Sequence, residues 1–459
     1  MTGKSIEAEA LFFRGTECMK AGDNAGAEAC FRQAVDISPD FAEACSNLGL
    51  MLDRRGDKAG AENCYRRSII LNPAYAETYL NFGALLANAK RFAEAELAYL
   101  QSIALRSDSP AGWSNLGGLY ACMKRDSEAE HCLRKAIALD TSYASAHFNL
   151  GYLLLRQGKF EEGWFCMESR KINPALAALL PFPRWQGESL AGKSILIGYE
   201  GGHGDMIQFC RYAAVFKSLG AKSVGLVCHS PLKKLFLSLA DVGLVISIDE
   251  QIPQTGWDFW VLPLSIPHYC RTRLDSIPTG IPYLHASADR IAKWAGFLPR
   301  DGIRVGLVWK GSPQFENDAD RSLPSLETLR PLWDVRGASY ISLQKGAGES
   351  EAIQPPGGLP LINLGPMFGD FSDTAAVISS LDLLICIDTA AAHLAGALGK
   401  PCWLLLPDYK PDWRWLTSRT DTPWYPGTMR LFRQTTAGNW APVIAELVEA
   451  LKLFIEQTP

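Results

Sequence analysis

The chain has 459 residues, too many for one hydrophobic core, so two or three domains are expected. Its 47% hydrophobic and 20% charged content is that of an ordinary globular protein, and a net charge of -4 gives no bulk electrostatic reason to expect nucleic acid or an anionic membrane as partner. The opening residues MTGKSIEAEALFF lack the positive segment and apolar stretch of a secretory signal, and no apolar run approaches the roughly 18 residues of a bilayer span. A cytoplasmic location without membrane insertion is therefore expected. The twelve cysteines show no CxxC spacing, and Cys18, Cys30, Cys45, Cys64, Cys122, Cys132 and Cys166 mostly fall at packing positions, which makes small buried hydrophobes of them.

From the start of the chain a glycine recurs every 34 positions, at Gly15, Gly49, Gly83, Gly117 and Gly151. Ala27, Ala61, Ala95 and Ala129 keep a second phase, Phe31, Tyr65 and Tyr99 a third, and Pro39 and Pro73 close the first two units. This is the period of a tetratricopeptide array, each unit a helix pair closing around a small residue. Residues 6–171 are expected to hold about five repeats in an all-α superhelix. The fifth, from Ser142, loses the pattern in its second helix, where Gly163 takes the place of the alanine and Trp164 and Phe165 follow. That unit is expected to pack on the next domain as a joint.

Pro174, Pro181, Pro183 and Gly187 mark a linker over 172–190. Beyond it, buried strands alternate with helices: SILIGY at 194–199, SVGLVC at 223–228, GLVISI at 243–248 and DFWVLPL at 258–264, with helices over Ile207 to Ser218 and Pro231 to Leu239. A second series follows with RVGLVWKG at 304–311, SYISLQKG at 339–346, LLICIDT at 383–389 and PCWLLLP at 401–407. Its helices are Leu326 to Val335, Asp373 to Ser380 and Ala390 to Leu398. The alternation predicts two parallel, doubly wound Rossmann-like halves, 191–300 and 301–456, with a cleft between them, the layout called GT-B.

Two clusters carry chemistry. After the first strand comes GYEGGHGDMIQFCRY, in which Gly201, Gly202 and Gly204 permit a tight turn and Asp205 stands at the start of a helix, placed equally to cap it or to act as a base. His203 and Glu200 flank that loop, and either can replace Asp205 as the base. In SLDLLICIDTAAAHLAGALGKP a buried strand ends at Asp388, and Thr389 opens a helix of small residues whose free amides suit a pyrophosphate. His393, one turn on, is placed to donate to phosphate or to fill space.

On these motifs, residues 191–456 resemble the bacterial GT-B transferases of the heptosyltransferase type, glycosyltransferase family 9. The resemblance implies Asp205 as catalytic base and a donor site for a nucleotide-sugar formed by Gly204, Asp388, Thr389, Ala390 and His393. It also implies a cation for the leaving diphosphate, matched best by Arg321 in NDADRSLP, with Lys310 and Lys345 as further candidates. No metal or other cofactor is implied, the nucleotide-sugar being a co-substrate. Ala390 stands where that family has glycine, Arg321 where it has lysine, and both halves are short for it, which leaves the sugar open.

Asn47, Asn81, Asn115 and Asn149 stand two residues before the recurring glycines on the first helices of repeats two to five, with Phe13 there in repeat one. Four amides in line suit the backbone of an extended peptide, and the pattern is similar to the repeat region of O-linked N-acetylglucosamine transferases. Local helix contacts are the alternative use. Together the likenesses imply an inverting, metal-independent transfer of a sugar to Ser or Thr of a protein held by the repeats. Flagellin is the acceptor implied by likeness to TPR-bearing flagellin glycosyltransferases. The alternatives are a lipopolysaccharide or other glycan acceptor, with the repeats recruiting the enzyme, and a scaffold whose transferase part is degenerate. Asp318 and Asp320 spell DxD in a polar loop, and Trp413, Arg414 and Trp415 form either a stacking surface or a packed lid.

Overall fold

The computed structural model describes residues 3–172 and 178–457, so Pro174 of the expected linker lies outside the described residues. The chain divides into two compact units, Met1–Leu153 and Leu154–Pro459. The division falls within a helix of the fifth repeat, ahead of the linker suggested by the prolines.

The repeat region is a series of ten helices among the described residues. They are α1 (Gly3–Lys20), α2 (Asn24–Ile37), α3 (Ala42–Arg55), α4 (Lys58–Leu71), α5 (Ala76–Asn88), α6 (Phe92–Leu105), α7 (Pro110–Cys122), α8 (Asp126–Leu139), α9 (Ala144–Arg156) and α10 (Phe160–Met167). The glycine period has a steric cause. A Cβ placed on Gly15 would stand 2.8 Å from the ring of Phe31, on Gly49 2.9 Å from Tyr65, on Gly83 2.6 Å from Tyr99 and on Gly117 2.7 Å from Leu133. Each first helix thus lays a bare backbone against the large side chain of its second helix, while Ala27, Ala61, Ala95 and Ala129 are fully buried beside it. Polar groups repeat at the same period: Ser68 Oγ donates to Ala42 O at 2.8 Å and Ser102 Oγ to Ala76 O at 3.0 Å. First helices pack on one another in sequence, α3 on α5 and α5 on α7, and so share one face.

In the second unit α10 is embedded in aromatic rings. Phe160 stacks on Trp424 at 6.1 Å, and Trp164 meets Trp413 edge-on at 5.1 Å. The loss of repeat pattern at Gly163–Phe165 therefore coincides with residues that pack on the α/β region.

That region holds two parallel sheets. The first consists of β1 (Ser194–Ile197), β2 (Ser223–Cys228), β3 (Leu244–Ser247) and β4 (Phe259–Val261), in the order β3-β2-β1-β4. The second has β5 (Ile303–Val308), β6 (Ala338–Ser342), β7 (Leu361–Asn363), β8 (Leu383–Ile387), β9 (Cys402–Leu406) and β10 (Met429–Arg433), in the order β10-β9-β8-β5-β6-β7. Strand order reverses beside β1 in one sheet and beside β5 in the other, so the loops after β1, β4, β5 and β8 line the crevices where ligands of such sheets bind.

Helices α11 (His203–Phe209), α12 (Tyr212–Ser218), α13 (Ala288–Ala295), α14 (Phe371–Ser379), α15 (Ala390–Ala397) and α16 (Ala441–Gln457) cover them. Val443, Leu447 and Leu451 of α16 join Val305, Leu307, Ile385 and Leu405 in one buried cluster. The single helix expected over Ile207 to Ser218 is broken at Cys210 and Arg211, where Arg211 is buried and donates to the carbonyls of Pro278 and Trp424. Leu326–Asp334 forms a 3₁₀ helix instead of the expected α-helix, and Pro331 within it has no amide hydrogen to give. Over Pro231 to Leu239 the helical residues reach only Phe236. Eight of the twelve cysteines are buried.

Gly83→Ala is expected to destabilise the repeat unit by about 1–3 kcal/mol through the clash with Tyr99. The same change in a Tyr99→Ala background should cost less, a coupling readable by urea unfolding of the four chains.

Candidate active site

The loop after β1 is shaped by its glycines and closed by Asp205. Gly201 has φ +69°, and a Cβ there would stand 2.3 Å from Asp205 Oδ2. That same oxygen accepts the Gly202 amide at 2.7 Å, so Asp205, in the first turn of α11, ties the loop back onto the helix start. Gly204 serves close approach: a Cβ on it would lie 2.8 Å from His393 Cδ2 and 3.5 Å from Ala390 Cα. Here α11 of one half abuts the start of α15 of the other.

On the facing side β8 ends at Ile387, and Asp388 and Thr389 lead into α15. Arg321 Nη1 donates to Asp388 O at 3.1 Å, and its Nε pairs with Asp318 Oδ1 at 3.1 Å, with the guanidinium over Phe315. A cation thus stands beside the opening of α15. The Thr389 hydroxyl is buried and has no hydrogen-bond partner among the described residues. Asp388 Oδ2 accepts from Trp415 Nε1 at 2.8 Å. Burial and the nearby Asp412 push the Asp388 carboxyl up to about 7, against the smaller opposing pull of the Trp415 hydrogen bond, Arg321 and Arg414.

His393 sits inside the interface: 5% exposed, stacked on Trp415, its Nδ1 2.9 Å from Tyr425 Oη. Burial, with Arg414 and Arg211 nearby, holds its pKa well below the usual range, and the neutral ring fills the space left by Gly204.

Arg414 joins the two halves. It is 6% exposed and donates to Asp205 and Gln208 of α11, while its Nη1 lies 3.0 Å from both oxygens of Asp412. Asp205 and Arg414 are 209 positions apart in the chain. Burial opposes its charge, and Asp412 and Asp205 outweigh that and keep it protonated. Trp413 and Trp415 are buried with it, so this segment is packed and not an open stacking surface.

The remaining candidates lie elsewhere. Lys310 Nζ donates to Pro324 O at 2.7 Å, at the rim of a cavity of about 510 Å³ shared with Asp318, Asp320, Ser322 and Gly348. Lys345 Nζ donates to Phe368 O at 2.7 Å. Among the described residues no three His, Cys, Asp or Glu side chains are placed to hold a metal ion, and Asp318 of the DxD string is taken up by Arg321. Glu200 pairs through both oxygens with the buried Arg170 at 2.6 and 3.0 Å, a structural use that removes it as a base. Asn47, Asn81, Asn115 and Asn149 are all partly exposed on the first helices α3, α5, α7 and α9. Asn149 Nδ2 comes within 3.6 Å of the position a Cβ on Gly118 would take. Phe13, at the equivalent place in repeat one, is 65% exposed.

Three tetratricopeptide-repeat families match the chain, at residues 8–41, 42–75 and 127–163. The array is thus a tetratricopeptide superhelix followed by a parallel-sheet α/β region. The Protein FlbA of Caulobacter vibrioides is 28% identical over 334 residues, 66% of this chain and 54% of that protein. The chain spans about half the length of this curated relative. Among solved structures, a crystal structure of MamA is 21% identical over 34% of this chain and 91% of that one, with a TM-score of 0.30. PilF of Pseudomonas aeruginosa is 21% identical over 39% and 82%, with a TM-score of 0.35. Among the described residues no helix is long and apolar enough to cross a membrane.

Asp388→Asn tests the buried carboxyl. Between the unfolded value of about 4 and the folded value of about 7, the native state keeps a proton that the unfolded chain has released, so this group's stabilising contribution is lost as pH rises. The melting temperature of the Asn variant should therefore gain on the wild type from about pH 4 to about pH 7 and run parallel to it above. A difference independent of pH would show an ordinary carboxyl.

Proposed function

We propose that the chain is an inverting glycosyltransferase that moves a sugar from a nucleotide-sugar to a Ser or Thr hydroxyl of a protein recruited by its tetratricopeptide array. One observation carries the reading. The loop 201–205, with its titratable side chains, abuts the start of α15 within one compact unit, beside the cation Arg321 and at the strand-order reversals of two parallel sheets. The resemblance to heptosyltransferase-type enzymes supports the same assignment.

In this reading the donor's phosphates lie against the amides opening α15, with the Thr389 hydroxyl and Arg321 as further donors. The acceptor oxygen attacks the anomeric carbon, the bond from that carbon to the phosphate oxygen breaks, and the nucleotide leaves with the electron pair. A base on the 201–205 loop takes the hydroxyl proton. The four asparagines hold the acceptor backbone and add affinity without sequence selectivity, each hydrogen bond contributing about 1 kcal/mol.

Intact-mass spectrometry of surface and flagellar proteins, from cells with and without the gene, tests this. A sugar-sized mass increment should vanish with the gene and return with the wild-type copy. With Asn47, Asn81, Asn115 and Asn149 all replaced by alanine, transfer should fall by about 1,000-fold while nucleotide-sugar binding persists. Unchanged masses in every protein, together with no thermal shift from any nucleotide-sugar, would leave a recruiting scaffold. Protein masses that stay constant while a glycan product disappears would move the acceptor to a glycan.

A further inference from the structure

Three side chains of the loop after β1 are candidates for the base, and they differ in what already occupies them. Glu200 is spent on Arg170, and its Oε2 also receives the Leu264 amide at 3.3 Å. Asp205 has one oxygen on the Gly202 amide and the other on Arg414. Protonating it would withdraw half the carboxylate support from a guanidinium that has almost no water.

His203 is different. It begins α11, and among the described residues its ring makes no hydrogen bond. It is only partly exposed and lies between two rings, His229 of its own half at 4.9 Å and Phe371 of the other half at 5.1 Å. His229 packs in turn on Tyr199, and its Nε2 is 3.1 Å from Gly201 O, so that nitrogen carries its hydrogen toward the carbonyl. Lys234 pairs at 3.0 Å with Asp370, the residue before Phe371, and on the helix that His203 begins Asp205 pairs with Arg414. Burial, and after it His229, lower the pKa of His203, so the ring is an uncharged acceptor at neutral pH.

Resting on the transferase reading above, we infer that His203 is the group that takes the proton from the attacking hydroxyl. Asp205 is then a positioning residue, fixing the loop through Gly202 and the facing half through Arg414. In the step, the acceptor O–H proton passes to a ring nitrogen of His203 as the new carbon–oxygen bond forms. The carbon–phosphate oxygen bond breaks, and the imidazolium afterwards returns its proton to water. Neither an oxidant nor a metal is required.

The test uses the full chain with UDP-, GDP-, ADP- and CMP-linked sugars as probes, released nucleotide as the rate and thermal shift as a separate measure of donor binding. In the wild type kcat/KM should rise with pH through a pKa below that of free imidazole. His203→Ala and the bulkier His203→Gln should each lose about 100-fold or more, lose that acid limb and keep the thermal shift, and added imidazole should restore part of the His203→Ala rate. Asp205→Asn should keep the acid limb. Retention of the limb and rate in both His203 variants, or its loss in a folded Asp205→Asn chain, would overturn the assignment while leaving the transferase reading standing. A wild-type chain that neither releases nucleotide nor shifts with any probe would overturn both.

Discussion

Arg414 is a buried charge held from both sides, and the geometry of the candidate site follows from that constraint. A guanidinium withdrawn from water is tolerable only when its donors are filled, and here the partners come from different halves: Asp205 and Gln208 from α11, Asp412 from its own segment. Pulling the halves apart would leave that charge with Asp412 alone and strip Asp205 of its cation. The glycine-rich loop is consequently set against the start of α15, with only Gly204 thin enough to stand between them.

A second buried arginine reinforces the contact. Arg211, 4% exposed, donates to the carbonyls of Pro278 and Trp424 and to the Tyr283 hydroxyl, and its guanidinium lies 4.8 Å from the Tyr425 ring centroid. Tyr425 in turn holds His393. The rings of Trp413, Trp424 and α10 continue the same packed wall. The loop at Gly201–Asp205 and the Asp388–Ala391 start of α15 stay accessible beside this wall, the two places that the proposed transfer would use. Two polar groups without a hydrogen-bond partner among the described residues are there as well, the Thr389 hydroxyl and the His203 ring.

The repeat array was legible because one steric event recurs: a bare glycine under Phe31, Tyr65, Tyr99 or Leu133. The buried strands β1, β2, β5, β8 and β9 were legible as continuous apolar runs, the mark of parallel sheets covered on both faces. β7 has only three residues and β10 carries an exposed Arg430, so neither stands out from its surroundings, and the register of both is set by neighbours distant in the chain. The site was visible in its two motifs and not in its wiring. WRW at 413–415 reads equally as a lid or a stacking surface, and only the fold brings Arg414 to Asp205 and Trp415 to Asp388. The same wiring changes how Asp205 reads, since the sequence shows a carboxylate at a helix start and the structure shows one whose oxygens are both engaged.

The central claim is that the loop of one half and the helix start of the other form a single binding place. Hydrogen exchange of the full chain, with and without the nucleotide-sugar that gives the largest thermal shift, addresses it most directly. Slowed exchange at 201–205 and at 388–391 together, with the same dependence on ligand concentration, is the result that this account requires. Protection confined to one of the two segments, or located only around the cavity beside Lys310, would contradict it.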